Sequence, residues 1–253
     1  MRFLSLYFTV FRLCTAQSSA DPYSEFLKWR QANSYSALKW EQQLQKYSAK
    51  LKSDGFKDAD VARIVDVVTA RDEGTFYDQL YKQAPKFDTA PNRLLVEAVK
   101  NRIAGRALDV DMGQGRNAIY LAKLGWRVTG FDVSKVGLDE AQRLSKLAGV
   151  SIRTILASDE EFDFGTEQWD LVAILYPLEK RSVHHVRQAL RRGGIVVVEC
   201  GHKEAGNQPF EFETNELLKI FEGFRILKYE DTMAMHDWAR KEMRMVRLIA
   251  EKQ

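Results

Sequence analysis

The stretch Ala107-Leu-Asp-Val-Asp-Met-Gly-Gln-Gly-Arg-Asn117 decides the fold. It opens as a short apolar run of strand length, residues 107–110. It breaks into two glycines, Gly113 and Gly115, and then enters the helical period of residues 117–124. Glycine has no β-carbon and tolerates positive φ, so such a loop lets backbone approach a ligand closely. The next strand, residues 127–131, runs into Gly130-Phe-Asp132-Val-Ser134. A carboxylate at the end of a second strand accepts hydrogen bonds from two ribose hydroxyls. A two-glycine loop alone is equally a tight strand-to-helix turn. The strand before it, the helix after it and Asp132 turn it into a site for a nucleoside-type ligand.

Outward from this stretch the period keeps switching. Residues 137–147 read as a helix stopped by Gly149, and 152–156 as a strand. Residues 169–176 are almost unbroken apolar, as expected of a strand buried on both faces. Residues 183–190 read as a helix ended by Gly193-Gly194, and 195–199 as another buried strand. This order predicts an α/β domain with a doubly wound, mostly parallel, Rossmann-like sheet. At the end, a helix at 215–221 precedes strands at 224–229 and 243–250, joined by a polar loop at 230–242. With no helix between them, these two strands predict an antiparallel edge hairpin and complete a sheet of seven.

Upstream, residues 21–103 read as helical. The predicted segments are 22–30, 34–51 after which Asp54-Gly55 breaks the pattern, 61–69, 75–83 and 92–102. The expected organisation is a possible signal or leader at 1–20, a helical extension and lid at 21–103, and a ligand-binding domain at 104–253. Met1-Arg2, the apolar run 3–11 and the small residues 15–20 read either as a secretory signal or as a cytosolic leader. The run is too short to span a bilayer, so no stable membrane insertion is expected.

Composition narrows the function further. A 253-residue chain that is 45% hydrophobic and 29% charged is an ordinary globular one. A net charge of +3, with Lys and Arg scattered, gives no electrostatic footprint for nucleic acid. Two cysteines, Cys14 and Cys200, provide neither a disulfide framework nor metal-ligand spacing, so no metal is expected. The loop itself excludes two ligands. The residue three past Gly115 is Ala118, where a dinucleotide fold wants glycine, and no Gly-Lys-Ser or Gly-Lys-Thr is present for a phosphate loop. Asp109 and Asp111 repel a phosphate and suit a cationic amine.

The run from Leu108 to Ala122 resembles motif I of class I S-adenosylmethionine-dependent methyltransferases. It is nearest the tellurite-resistance and thiopurine-type enzymes that act on small molecules. Gly-Trp-Arg-Val-Thr-Gly-Phe-Asp at 125–132 is similar, as are Phe210-Glu-Phe212, Phe221-Glu-Gly-Phe224 and Tyr229-Glu-Asp231. Phe76-Tyr77-Asp-Gln-Leu-Tyr81 and Pro91-Asn92 resemble the lid such enzymes place before motif I. The resemblance covers residues 76–250.

It implies S-adenosyl-L-methionine as cofactor and methyl transfer to a small-molecule acceptor by in-line displacement, in the cytoplasm, or outside it if the leader is a signal. Asp109, Asp111, Gly113, Gly115 and Asn117 would line its amino-acid end. Asp132 would hold the ribose and Val133 pack on the adenine, with Ser158 and Asp159 at the adenine edge. Leu175 would lie under the sulfonium, Tyr176 would face the acceptor as the catalytic residue, and Tyr77, Tyr81 and Asn92 would close the lid. His184, His202 and Arg240 are the substrate-side candidates, with His185, Met235 and Trp238 nearby.

One departure matters. The family normally has glycine where this chain has Asp111, and the added bulk and charge are expected to weaken cofactor binding. The alternative is a non-catalytic domain that binds a metabolite or a partner through a degenerate site. Methyl transfer from a sulfonium needs mainly proximity and orientation, and a base only if the acceptor must lose a proton. The fourth strand ends Ile174-Leu-Tyr-Pro177, without the Asn/Asp-Pro-Pro-Tyr pattern of base and amide methyltransferases. That favours a soft or small acceptor such as a thiol, a halide, a chalcogen oxyanion or a small heterocycle.

Overall fold

The computed structural model describes residues 21–83, 89–175, 183–205, 211–237 and 241–253. The expectations for residues 1–20, Tyr176, Trp238 and Arg240 lie outside them. The chain divides into two compact units, one ending at Asp72 and the other running Glu73–Gln253.

The first unit is helical. α1 (Pro22–Ala32) starts on Asp21, whose carboxylate accepts the Ser24 N–H, with proline inside the first turn. α2 (Trp40–Ser53) follows a left-handed Ser34 and a short 3₁₀ turn, so the single helix expected over 34–51 is interrupted. Its core is Phe26, Tyr47, Leu51, Val61 and Val68, with the Phe26 and Tyr47 rings edge to face at 5.1 Å.

α3 (Asp58–Lys82) is one helix where two were expected, at 61–69 and 75–83. Nothing between Ala70 and Glu73 breaks a helix, and an isolated Gly74 is tolerated. The glycine has a packing reason: a β-carbon there would meet the Val133 carbonyl oxygen at 2.5 Å.

The second unit is built on a seven-stranded sheet in the order β3-β2-β1-β4-β5-β7-β6. The strands are β1 (Arg106–Val110), β2 (Arg127–Asp132), β3 (Arg153–Leu156), β4 (Trp169–Ile174), β5 (Leu190–Gly201), β6 (Phe224–His236) and β7 (Lys241–Lys252). β1 to β5 pair in parallel, and β7 runs antiparallel to both β5 and β6. α4 (Arg93–Val99), α5 (Arg116–Lys123), α6 (Lys135–Leu147), α7 (Val183–Ala189) and α8 (Glu216–Ile220) complete it.

The two-residue period of the strands sorts the core into two layers. Leu108, Val110, Val172, Ile174, Val196 and Val198 join one. Ala107, Leu171, Ala173, Ile195 and Val197 join the other, with Ala118 and Leu121 of α5 packed there. Asp109 follows Ala107 in this alternation and faces α5.

Two boundaries moved. The residues 230–242, expected as a loop, mostly form the far ends of β6 and β7. Their charges pair across strands: Glu230 lies opposite Arg247, and Arg244 Nε donates to Asp231 Oδ1 at 2.6 Å. Polarity there marks a solvated edge strand, and Met235 is an exposed strand residue. Gly193-Gly194 lies within β5, next to an irregular pairing between Trp169 and Leu171.

The chain builds β1, β2 and β3 to one side, then crosses back to place β4 on the other side of β1. The crevice past Val110 and Ile174 is therefore the topological switch point, where open α/β sheets bind ligands.

Candidate active site

At the switch point β1 gives way to three left-handed residues, Asp111 (φ 51°), Gly113 (φ 51°) and Gly115 (φ 78°). Met112 N–H still donates to Phe131 O across the strand pair, and Gly115 opens α5. The Gly113 N–H donates to Asp132 Oδ2 at 2.8 Å, and Ser134 N–H donates to Oδ1 at 2.8 Å. Asp132 thus ties the glycine loop to the end of β2. A carboxylate has about four acceptor positions, so Asp132 keeps capacity to accept from a ligand hydroxyl. Burial raises the Asp132 carboxyl above its ordinary range, against the backbone N–H groups of Ser134, Gly113 and Val133.

Asp109 is 1% exposed, and its Oδ2 is a buried oxygen without a hydrogen-bond partner. Burial pushes its carboxyl up to about 7, opposed by Arg116 and by the Ala118 N–H at the start of α5. Asp111 is half-buried with a desolvated carboxyl. Its carboxyl stands well above the ordinary range, from burial first and then from Asp132, Asp159, Glu73 and Asp109.

The C-terminal part of α3 covers this loop. Asp78 Oδ1 accepts from Ser134 Oγ at 2.6 Å and from Val136 N–H at 3.0 Å. Ser134 in turn caps α6 by accepting the Gly137 N–H. The Tyr77 and Tyr81 rings lie 6.4 Å apart, and a β-carbon on Gly113 would meet the Tyr81 hydroxyl at 2.5 Å. Burial pushes the Tyr77 phenol up to about 12 and moves Tyr81 further in the same direction.

Asn92 and Asn117 meet each other in a second network. Asn92 N–H donates to Asn117 Oδ1 at 2.9 Å, and Asn92 Oδ1 caps α4. Asn92 Nδ2 donates to Glu199 Oε1 at 2.7 Å, and Glu199 Oε2 accepts from Arg247 Nε at 2.6 Å. Arg116, beside the glycine loop, pairs with Asp237 at 2.8 Å. Burial lowers the pKa of neighbouring His236, favouring the neutral ring.

Sequence reading missed Glu199, His236, Asp237 and Arg247. A glutamate at the end of an apolar strand was the available signal, because a buried carboxylate needs partners.

The other expected residues are dispersed. Leu175 is buried just past β4, and Ser158 is buried with its N–H and hydroxyl directed at Glu161. Val133 carries the carbonyl packed on Gly74. His184 and His185 are both exposed on α7. His202 is buried, with Nδ1 accepting the Glu204 N–H and Nε2 at 3.1 Å from Thr214 Oγ1. Thr214 donates on to Asp231, so both ring nitrogens serve a clip between β5 and the hairpin.

With this geometry in place, residues 107–201 match the family described as a methyltransferase domain. The sheet order and its flanking helices are those of the class I methyltransferase fold. Among curated proteins it is 27% identical over 135 residues to a tRNA (uracil(54)-C(5))-methyltransferase of Pyrococcus horikoshii, covering 50% of this chain and 32% of that one. The match thus spans about a third of the relative's length.

Among solved structures the domain is similar to TehB from Haemophilus influenzae, with a TM-score of 0.58 and 20% identity over 70% of this chain and 67% of that one. It is also similar to the [4+2]-cyclase SpnF, with a TM-score of 0.59 and 16% identity over 72% and 96%. These likenesses show the fold. That a cyclase shares it means that the residues of the methyltransferase domain, rather than its architecture, carry the argument for a reaction.

S-adenosylmethionine is the cofactor such a domain implies, and the residues present fit it. Asp109 offers an orphaned buried acceptor for an ammonium. The bare face of Gly113 is a cradle that a β-carbon would fill. Asp132 presents a buried carboxylate at the end of β2, next to the glycine loop. Among the described residues, no group of His, Cys, Asp and Glu is arranged to hold a metal, and no helix is long and apolar enough to cross a membrane.

Proposed function

We propose that the chain transfers a methyl group from S-adenosylmethionine to a small nucleophilic acceptor in the cytoplasm. The observation that carries this reading is the pairing of Asp132 with the Gly113 N–H at the switch point, beside the unpartnered Asp109 Oδ2.

When bound, the cofactor supplies an activated methyl on a positive sulfur. The chain's own residues then have four tasks. Asp109 and Asp111 hold the ammonium end by charge. Asp132 fixes the ribose while keeping the glycine loop closed on it. Val133, Ser158 and Asp159 take the adenine. Tyr77 and Tyr81 cover the site from α3 and exclude water, which strengthens every charge interaction inside.

Residues 21–103 supply the helical extension, and its last part serves as this lid. Leu175, buried just past β4, is taken to lie on the acceptor side, and Tyr176, His184, His202 and Arg240 remain the acceptor-side candidates of this reading. Asn92 and Asn117 act in the reading as positioning residues that fix the start of α5. Orientation is the main contribution, so a general base is required only for a protonated acceptor.

A second reading, a non-catalytic binding domain, is favoured by one observation: a strained aspartate stands where the family has glycine.

The experiment is incubation of the whole chain with methyl-labelled S-adenosylmethionine and separate acceptors: thiols, halides, tellurite, small amines and unmodified tRNA. Label on a small acceptor is the expected result. Label on tRNA alone moves the acceptor to nucleic acid. Binding without transfer to any acceptor favours the non-catalytic reading.

A further inference from the structure

The β6–β7 hairpin reaches past the end of β5. Gly201, the last residue of β5, pairs with Met245, while β7 continues back to Lys241 and there pairs with His236 of β6. β5 is parallel to β4, and β4 to β1, so this overhang lies on the edge of the sheet that carries the switch-point crevice.

Asp237, the residue after β6, meets Arg116, the residue after Gly115, across 121 positions of sequence. Arg116 Nη2 donates to Asp237 Oδ2 at 2.8 Å, and Asn92 Nδ2 donates to the same oxygen at 3.3 Å. Arg116 Nη1 donates to Ala90 O at 3.0 Å. Asp237 Oδ1 is buried and has no hydrogen-bond partner.

Two features of this pair work against stability. A cation in the first turn of a helix opposes the helix dipole. A buried oxygen without a donor has lost the hydrogen bonds it made to water. A pair serving the fold alone would carry neither cost, which points to a role at the site. Among the described residues of the second unit, the other such oxygen is Asp109 Oδ2. Burial is the largest influence on the Asp109 carboxyl, and Arg116 is the largest charge acting on it. Arg116 thus stands near both carboxylates, and its guanidinium donates to Asp237 while Asp109 Oδ2 stays unpaired.

We propose that Asp237 is a positioning residue for cofactor binding: it tethers and neutralises Arg116, and so keeps Asp109 Oδ2 open to the ammonium of the ligand. This rests on the S-adenosylmethionine reading of the site. Without Asp237 the guanidinium turns to Asp109, competes for the oxygen that the ammonium needs, and leaves a positive charge beside it. The end of the hairpin thereby sets cofactor affinity without touching the cofactor. Removing Arg116 as well removes the competitor, so a second loss repairs the first.

The test is equilibrium binding to the whole chain, at pH 8, of S-adenosylmethionine and of methylthioadenosine, a nucleoside thioether that lacks the amino-acid end. The variants are Asp237→Ala and the double variant Asp237→Ala with Arg116→Met, each also unfolded in denaturant without ligand. Asp237→Asn, which keeps the size, serves if the alanine variant misfolds.

Asp237→Ala is expected to weaken S-adenosylmethionine about tenfold, the worth of one hydrogen bond between charged groups, and to leave methylthioadenosine unchanged. The double variant is expected to recover most of the S-adenosylmethionine affinity, although it restores no contact. A merely structural pair gives the reverse: both ligands weakened alike, and no recovery in the double variant. Either of those results, or unchanged S-adenosylmethionine affinity in Asp237→Ala, overturns the inference while the cofactor reading stands. If methylthioadenosine binds too weakly to measure, recovery in the double variant decides alone. If the wild type does not bind S-adenosylmethionine, the cofactor reading fails and the inference with it.

Discussion

The Tyr81 hydroxyl lies over the bare face of Gly113, so close that a β-carbon on the glycine would sit 2.5 Å from it. This contact joins the C-terminal part of α3 to the loop between β1 and α5. Gly113→Ala meets two obstacles, the clash with Tyr81 and a φ of 51°. The expected cost is about 1–3 kcal/mol in denaturant unfolding. Tyr81→Phe removes the atom that clashes, so the double variant is expected to recover the steric share and leave the backbone share. Strict additivity of the two single effects contradicts the contact.

Asp78 holds the same end of α3 from its other side, through Ser134 Oγ and Val136 N–H. Asp78→Ala leaves the α6 cap with one partner fewer and frees the end of α3. Amide exchange over residues 73–82 is expected to speed up by about tenfold, with β1 and β4 unchanged. Unchanged exchange in that segment would show that Asp78 does not anchor it.

The buried pair Glu199–Arg247 tests the second network. Glu199 is 2% exposed and held by Arg247 Nε and Asn92 Nδ2. Arg247→Met leaves a buried carboxylate with one donor, at an expected cost of about 3–5 kcal/mol. Replacing Glu199 by Met as well is expected to return most of that stability. A double variant as unstable as the single one argues that packing, rather than charge, explains the loss.

The pH dependence of stability follows from Asp109. Burial raises its carboxyl from 3.8 to about 7. The folded state therefore keeps a proton that the unfolded chain has lost over that interval. More protons on the folded side mean that stability falls as pH rises from about 4 to 7. Asp109→Asn removes this contribution. Its melting temperature relative to wild type is expected to rise steadily across the same interval and level off above it, and a constant difference contradicts the shifted titration.

The sheet was legible because the decisive signals were local. The glycine loop, the apolar runs at 169–174 and 195–199 and the flanking helical periods each state their own period, and the doubly wound class of the sheet follows from them. Two features depended on partners that no local pattern reveals. β6 reaches His236 and β7 starts at Lys241 because Glu230, Asp231, Arg244 and Arg247 neutralise one another across strands. α3 runs unbroken through Gly74 because the Val133 carbonyl leaves no room for a side chain.

The site divides in the same way. Asp109, Asp132 and Gly113 stand together because they lie on adjacent strand ends. Glu199 and Arg247 meet through pairing 48 residues apart in sequence, and Asn92 joins them across 107.

The central claim is that Asp132 and the glycine loop form an S-adenosylmethionine site. Equilibrium binding of labelled S-adenosylmethionine to the wild-type chain and to Asp132→Ala at pH 8 tests it most directly. Saturable binding of one equivalent by the wild type, weakened at least about tenfold in the variant, is the predicted result. Absence of saturable binding by the wild type, or equal affinity in the variant, would contradict it.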